Sequence, residues 1–265
     1  MILHVQVSDH IPSGTGGSPQ KAPLFFLHGF LGSGDNWRSL ARSFQPRYLT
    51  LCPDARNHGR SPWSGEMSYP LMAGDLFETA DSLGLGELFL LGHSMGGKTV
   101  MEAALSRPER VRALVVVDIV PRLYPPMMAP YVESLRGLDL AALESRGQAM
   151  EALAEAVPDR TIRGFFLKNL EKGEDGRFRW RVNLSGIHDN YPRIWEGLAP
   201  DRCYDGPVLF VRGELSDFFQ PGDSERIREL FPRAREVTIP GAGHWVHSDR
   251  PEALAETVMQ FLEGI

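Results

Sequence analysis

Leu88-Phe89-Leu90-Leu91-Gly92-His93-Ser94-Met95-Gly96 is an apolar run that ends on a G-x-S-x-G pattern and opens into a helical period over Met95–Ser106. Four large apolar residues before a glycine read as a buried strand. The passage from strand to helix through one serine is sharp. It pushes Ser94 into a strained backbone conformation and exposes its Oγ, while Gly92 and Gly96 leave room for the tight approach. The helix that starts near Met95 directs free backbone N–H groups, and a partial positive charge, at the same point. In a chain with 27 glycines among 265 residues the pattern alone is weak, and its place between strand and helix gives it weight. The reading is a nucleophilic serine.

The same alternation extends outward from this stretch. Leu24–Leu27, Tyr48–Cys52, Val111–Val117, Pro207–Val211 and Glu236–Ile239 read as strands. Between them lie helical periods over Asn36–Phe44, Tyr69–Leu83, Gly222–Phe231 and Pro251–Glu263. Continuous apolar strands alternating with amphipathic helices predict an α/β fold, a mostly parallel sheet with helices on both faces. Chemistry in such sheets lies beyond the carboxyl ends of the strands. Residues 121–197 break the rhythm. They offer helical pieces over Leu138–Ala156 and Thr161–Leu170, then a strand-like Phe178–Val182. The stretch holds eleven Lys/Arg and eleven Asp/Glu, so it is neutral. It reads as an inserted, mainly helical cap on a scaffold formed by 1–120 and 198–265, because structureless loops of that length are rare. Pro12–Pro19, rich in glycine and serine, reads as a surface hairpin loop.

Composition narrows the function. The net charge is −6, which lacks the basic footprint of a phosphate-backbone binder, so no nucleic-acid partner is expected. The longest apolar stretch, Ala113–Val117, is far short of the roughly 20 residues of a spanning helix, so no membrane partner is expected. Met1–Val7 alternates like a strand and shows no signal-peptide pattern. Cys52 and Cys203 make neither a disulfide framework nor a zinc motif. A reducing, cytoplasmic setting with no cofactor or metal is the expectation.

A nucleophilic serine needs an oxyanion hole, a base and an acid. His28-Gly29-Phe30-Leu31-Gly32-Ser33-Gly34 follows an earlier strand, so Phe30 and Met95 are the expected backbone N–H donors to the developing oxyanion. Of the remaining histidines His4, His10, His58, His188, His244 and His247, the base must follow the serine in this chain order, after the last strand. Gly241-Ala242-Gly243-His244 meets that requirement, with His247 expected to pack at the start of the last helix. His58 precedes the serine and reads as a loop-holding residue. Two aspartates fit the acid that orients the base. Asp217 follows the strand Pro207–Val211 and Asp118 follows Val111–Val117. Pattern alone slightly favours Asp217.

These motifs, with Asp54-Ala55-Arg56-Asn57-His58-Gly59-Arg60-Ser61, resemble the α/β-hydrolase superfamily. Gly92–Lys98, Val117-Asp118-Ile119, Gly176–Leu184 and His244-Trp245-Val246-His247 more narrowly resemble its small capped esterases, typified by a bacterial acyl-CoA esterase and the mitochondrial abhydrolase domain-containing protein eleven. The likeness covers nearly the whole chain. It implies that Asp118 is the triad acid, since that group typically lacks an acid at the position of Asp217. Gly213–Asp217 departs from the group's usual Gly-Gly-Asn-Ser, which keeps Asp217 as the second candidate. Arg177, Arg179 and Arg181 alternate with Phe178, Trp180 and Val182, a row that reads as a solvated face or as a basic edge for an anionic substrate group. Tyr124, Tyr131, Phe165, Phe166 and Trp195 are candidate acyl-pocket walls, and Met127-Met128 a flexible one. The expected activity is hydrolysis of a small acyl ester or thioester through an acyl-enzyme. The alternatives are a carbon–carbon bond hydrolase or perhydrolase on the same residues, and a non-catalytic ligand-binding protein.

Overall fold

The computed structural model describes residues 1–8, 21–199 and 201–265. The loop read over Pro12–Pro19 and His10 lie outside the described residues. Seven strands form one sheet: β1 (Val5–Val7), β2 (Ala22–Leu27), β3 (Tyr48–Pro53), β4 (Leu88–His93), β5 (Val111–Val117), β8 (Val208–Gly213) and β9 (Ala234–Ile239). Their order is β1-β3-β2-β4-β5-β8-β9, with β1 antiparallel to β3 and every other pair parallel. A separate antiparallel hairpin pairs β6 (Leu170–Lys172) with β7 (Phe178–Trp180).

Successive strand residues point to opposite faces, so a strand buried on both sides must be apolar throughout. In β4, Leu88 and Leu90 join one buried cluster while Phe89 and Leu91 join the other. The first cluster takes in the helices α2 (Tyr69–Ser82), α3 (Met95–Ser106) and α9 (Asp223–Leu230). The second takes in α1 (Arg38–Arg42) and α10 (Pro251–Glu263). The chain is an α/β fold with helices on both faces. The register pairs Leu27 with Gly92, His93 with Val117, and Gly213 with Ile239. The carboxyl ends of β2, β4, β5, β8 and β9 therefore lie along one edge.

Between β5 and β8 the chain forms α4 (Ala129–Arg136), α5 (Arg146–Ala152), α6 (Arg160–Phe166), the β6–β7 hairpin, α7 (Leu184–Asp189) and α8 (Tyr191–Trp195). The single helix expected over Leu138–Ala156 is instead a 3₁₀ turn at Leu140–Ala142 followed by α5. Ser145 starts α5 by accepting the Gln148 N–H at 3.2 Å, a cap that a run of helix formers does not reveal. The piece expected over Thr161–Leu170 is α-helical to Phe166 and continues as a 3₁₀ turn over Leu167–Asn169, and Leu170 opens β6. Among the described residues no helix is long and apolar enough to cross a membrane.

Candidate active site

Ser94 is the one residue between β4 and α3, with φ +54° and ψ −118°. Its N–H donates to Val117 O at 3.1 Å and its carbonyl accepts from Lys98 N–H at 3.0 Å, so the turn is tied to both neighbours. Only four described non-glycine residues have positive φ: Leu31, Asn57, Ser94 and Asp118. Strain of this kind costs about 1–3 kcal/mol per residue and gathers where geometry is functional. All four lie within four residues of the carboxyl ends of the parallel strands β2, β3, β4 and β5. A Cβ on Gly92 would stand 2.2 Å from Gly96 O, and one on Gly96 would stand 2.4 Å from Leu27 O. These obstacles are backbone and cannot swing aside. Gly96→Ala is expected to destabilise the fold by about 2 kcal/mol or more, lowering Tm by several degrees. Calorimetry that finds Tm unchanged would contradict the close approach.

The loop after β2 is held by two neutral histidines. His28 Nδ1–H donates to Gly29 O at 2.8 Å and its Nε2 accepts from Ala55 N–H at 2.9 Å. His58 Nδ1–H donates to Arg56 O at 2.9 Å and its Nε2 accepts from Leu31 N–H at 3.2 Å. Each ring uses one nitrogen as donor and the other as acceptor, which requires the uncharged form. Burial lowers both pKa values, that of His58 to about 3. Asn169 Nδ2 donates to Leu31 O at 2.7 Å and anchors the loop from the other side. Phe30 lines the cavity around Ser94. The Met95 side chain points elsewhere, among Leu27, Met72 and Thr99. What Met95 offers is its backbone N–H, which as the first residue of α3 has no acceptor within the helix.

His244 follows β9, and its Nδ1 stands 2.8 Å from Asp118 Oδ2. Asp118 is 0 % exposed, and its Oδ1 accepts from Gly213 N–H at 2.8 Å. Ser216 Oγ also donates to Asp118 Oδ2. The buried carboxylate thus faces three donors, which offset its desolvation. Asp217 is exposed, and its carbonyl accepts from Gln220 Nε2 at 2.8 Å. The structure brings His244 to Asp118 and leaves Asp217 outside that contact. Phe218 stacks flat on His244, with centroids 3.8 Å apart and planes at 14°. His93 Nε2–H donates to His244 O at 2.8 Å. Burial first, then the charges of His244 and His247, hold the His93 pKa well below the usual histidine value. His247 packs between Trp37 and His93, each 4.7 Å away by ring centroids, and burial lowers its pKa to about 4. Sequence reading missed Ser216, Phe218 and the support from His93. The one available signal was a hydroxyl and an aromatic flanking Asp217, in the loop read only for its carboxylate.

Ser94 and His244 open into a cavity of about 300 Å³. Its far walls come from residues 121–197: Met127, Met128, Tyr131, Phe165, Phe166 and Trp195. Tyr124 does not line it. Its hydroxyl accepts from Val120 N–H at 3.0 Å and donates to Phe218 O at 2.8 Å, which braces the loop under His244. The arginine row lies away from this cavity. Arg179 pairs with Asp175 at 3.2 Å, Arg177 is exposed, and Arg181 lines an adjoining cleft 3.8 Å from Glu171. Among the described residues no group of three His, Cys, Asp or Glu is placed to hold a metal ion.

A parallel sheet with a strained serine after its central strand, and a histidine and buried aspartate beyond neighbouring strands, defines a hydrolase-type α/β protein. A family model for the alpha/beta hydrolase fold matches residues 22–251, and the chain belongs to that family. It is 41% identical over 248 residues to the Mus musculus protein named sn-1-specific diacylglycerol lipase ABHD11, covering 90% of this chain and 80% of that one. It is 33% identical over 244 residues to Esterase YbfF of Escherichia coli K12, covering 91% of this chain and 93% of that one. A solved structure titled marine microorganism esterase superposes with a TM-score of 0.91 at 37% identity, over 98% of this chain and 99% of the other.

Proposed function

We propose that this chain is a serine esterase that cleaves short to medium acyl esters, and thioesters of like shape, through a covalent acyl-enzyme. The observation that carries the reading is Ser94 on its strained turn, sharing an apolar cavity with His244, whose Nδ1 faces the buried Asp118 at 2.8 Å. Ser94 Oγ attacks the acyl carbonyl and His244 Nε2 takes its proton. Asp118 holds the Nδ1–H tautomer and stabilises the imidazolium. The N–H groups of Phe30 and Met95 receive the oxyanion. His244 returns the proton to the departing alkoxide or thiolate, and water then repeats the attack on the acyl-enzyme. Residues 121–197 act as a cap that walls the acyl chain. The activities named for the relatives, an esterase and a diacylglycerol lipase, favour acyl esters as the substrate class. Cys52 and Cys203 are free thiols, which suits the cytoplasm.

An activated ester such as p-nitrophenyl acetate is expected to give a product burst of one equivalent per active site before the steady state. A fluorophosphonate probe should label Ser94 and abolish turnover. Across an acyl-chain series, kcat/KM should rise until the cavity is filled and then fall. Absence of both burst and labelling on folded protein rejects the reading.

A further inference from the structure

Lys98 is a buried amine that this chemistry leaves unused. It is 1 % exposed and lies one turn beyond Ser94 on α3. Its Nζ donates to Arg122 O at 2.8 Å, Glu196 O at 2.5 Å and Trp195 O at 3.4 Å. The rings of Tyr69 and Tyr124 lie 5.5 and 4.9 Å away. Arg122 follows β5 and Glu196 precedes β8, so the acceptors sit on the two necks through which residues 121–197 leave and rejoin the sheet. The necks also bond each other, Tyr124 N–H to Trp195 O at 2.9 Å and Leu198 N–H to Pro121 O at 3.0 Å. Burying an ammonium is costly, and an apolar side chain of similar volume often stabilises as well or better. Core packing therefore does not account for a lysine here, whereas three carbonyls from two strand-distant segments do.

We propose that Lys98 is a positioning residue that ties both necks to the serine's helix and so fixes the Trp195 wall of the acyl cavity relative to Ser94. Trp195 lines that cavity and meets the Phe30 ring at 6.2 Å, so a neck that drifts moves the acyl wall and crowds the loop after β2. The kinetic consequence rests on the esterase reading; the structural one does not. Lys98 also carries its own pH signature. Burial first, then the Arg122 charge, lowers its pKa to about 7. The other groups facing it are Glu196, Arg122 paired with Asp223 at 3.1 Å, and the hydroxyls of Tyr69 and Tyr124, whose ionisation burial pushes up. When the necks open, Lys98 returns to water and takes up a proton. The closed state binds fewer protons than the open one above pH 7, so rising pH favours closure.

Two measurements test this. In Lys98→Met, kcat/KM for p-nitrophenyl octanoate should fall roughly tenfold or more, mainly through KM, while the acetate ester changes less than about threefold. Equal losses on both esters would overturn the positioning role. In the unmodified protein, hydrogen exchange at the Tyr124 and Leu198 amides, corrected for intrinsic rate, should show an opening constant that falls by up to about tenfold per pH unit above 7 and is flat below it. The same two amides should exchange at least roughly tenfold faster in folded Lys98→Met, or in Lys98→Gln should the first not fold, than in the unmodified protein; equal protection overturns the tie, whereas a flat pH profile overturns only the lowered Lys98 pKa. Should the unmodified protein hydrolyse neither ester, the esterase reading fails by itself, and the exchange comparison between the variant and the unmodified protein still decides the role of Lys98.

Discussion

Ser94→Ala is expected to lower kcat on p-nitrophenyl acetate by roughly 10⁵-fold or more while the protein stays folded. In the proposed mechanism Ser94 Oγ forms the acyl bond, and the only other hydroxyl among the described residues of the cavity wall belongs to Tyr131. Any residual rate would come from the oxyanion donors and from binding, which the substitution leaves in place. The backbone argument supplies a control. Serine and alanine both carry a Cβ, so both suffer at φ +54° and the two proteins should melt together. Ser94→Gly loses the Cβ and relieves the strain. It should be equally inactive and about 1 kcal/mol more stable, a Tm gain of a few degrees. Ester turnover in Ser94→Ala within tenfold of the unmodified protein would remove Ser94 from the chemistry.

The scaffold was legible because its signals are local. Leu88–Leu91 is apolar on both faces, as a central parallel strand must be, and glycines mark the turn that follows. The segment between β5 and β8 was less legible. Its helices α5, α6, α7 and α8 have seven residues or fewer, too short for an amphipathic period to assert itself. Their ends are set by single side chains, such as Asp159, which accepts from Thr161 N–H at 2.7 Å. The serine and histidine could be read from chain order and flanking glycines. The aspartate could not, for a spatial reason. β5 and β8 are neighbours in the sheet, so Asp118 and Asp217 both follow strands beside the same edge. The choice turns on a loop conformation in which Ser216 points inward and Asp217 outward. The arginines read as one row diverge because β7 ends at Trp180, leaving Arg181 beyond the strand.

Asp118→Asn should lower kcat by about 10⁴-fold at neutral pH, whereas Asp217→Asn should stay within about twofold of the unmodified protein. The carboxylate of Asp118 meets Gly213 N–H on one oxygen and Ser216 Oγ and His244 Nδ1 on the other. An asparagine has one acceptor oxygen. Gly213 N–H is a fixed backbone donor and would claim it, turning the amide NH₂ toward His244. The imidazole would then keep its Nδ1 lone pair toward the amide and its proton on Nε2, where it can no longer accept from Ser94. Misfolding is not the cause, because asparagine is among the residues that best tolerate the φ of +52° found at this position. A stability loss on the order of 1–3 kcal/mol, read as a Tm lower by several degrees, is expected from the weakened contact with His244 and Ser216. Asp217 is exposed and accepts from Gln220 through its backbone carbonyl, which the substitution keeps. Measuring kcat for both variants in one assay, with Tm for each, separates the two aspartates. Loss of orders of magnitude in Asp217→Asn with activity retained in Asp118→Asn would assign the acid to Asp217 and require the loop Gly213–Asp217 to rearrange when substrate binds.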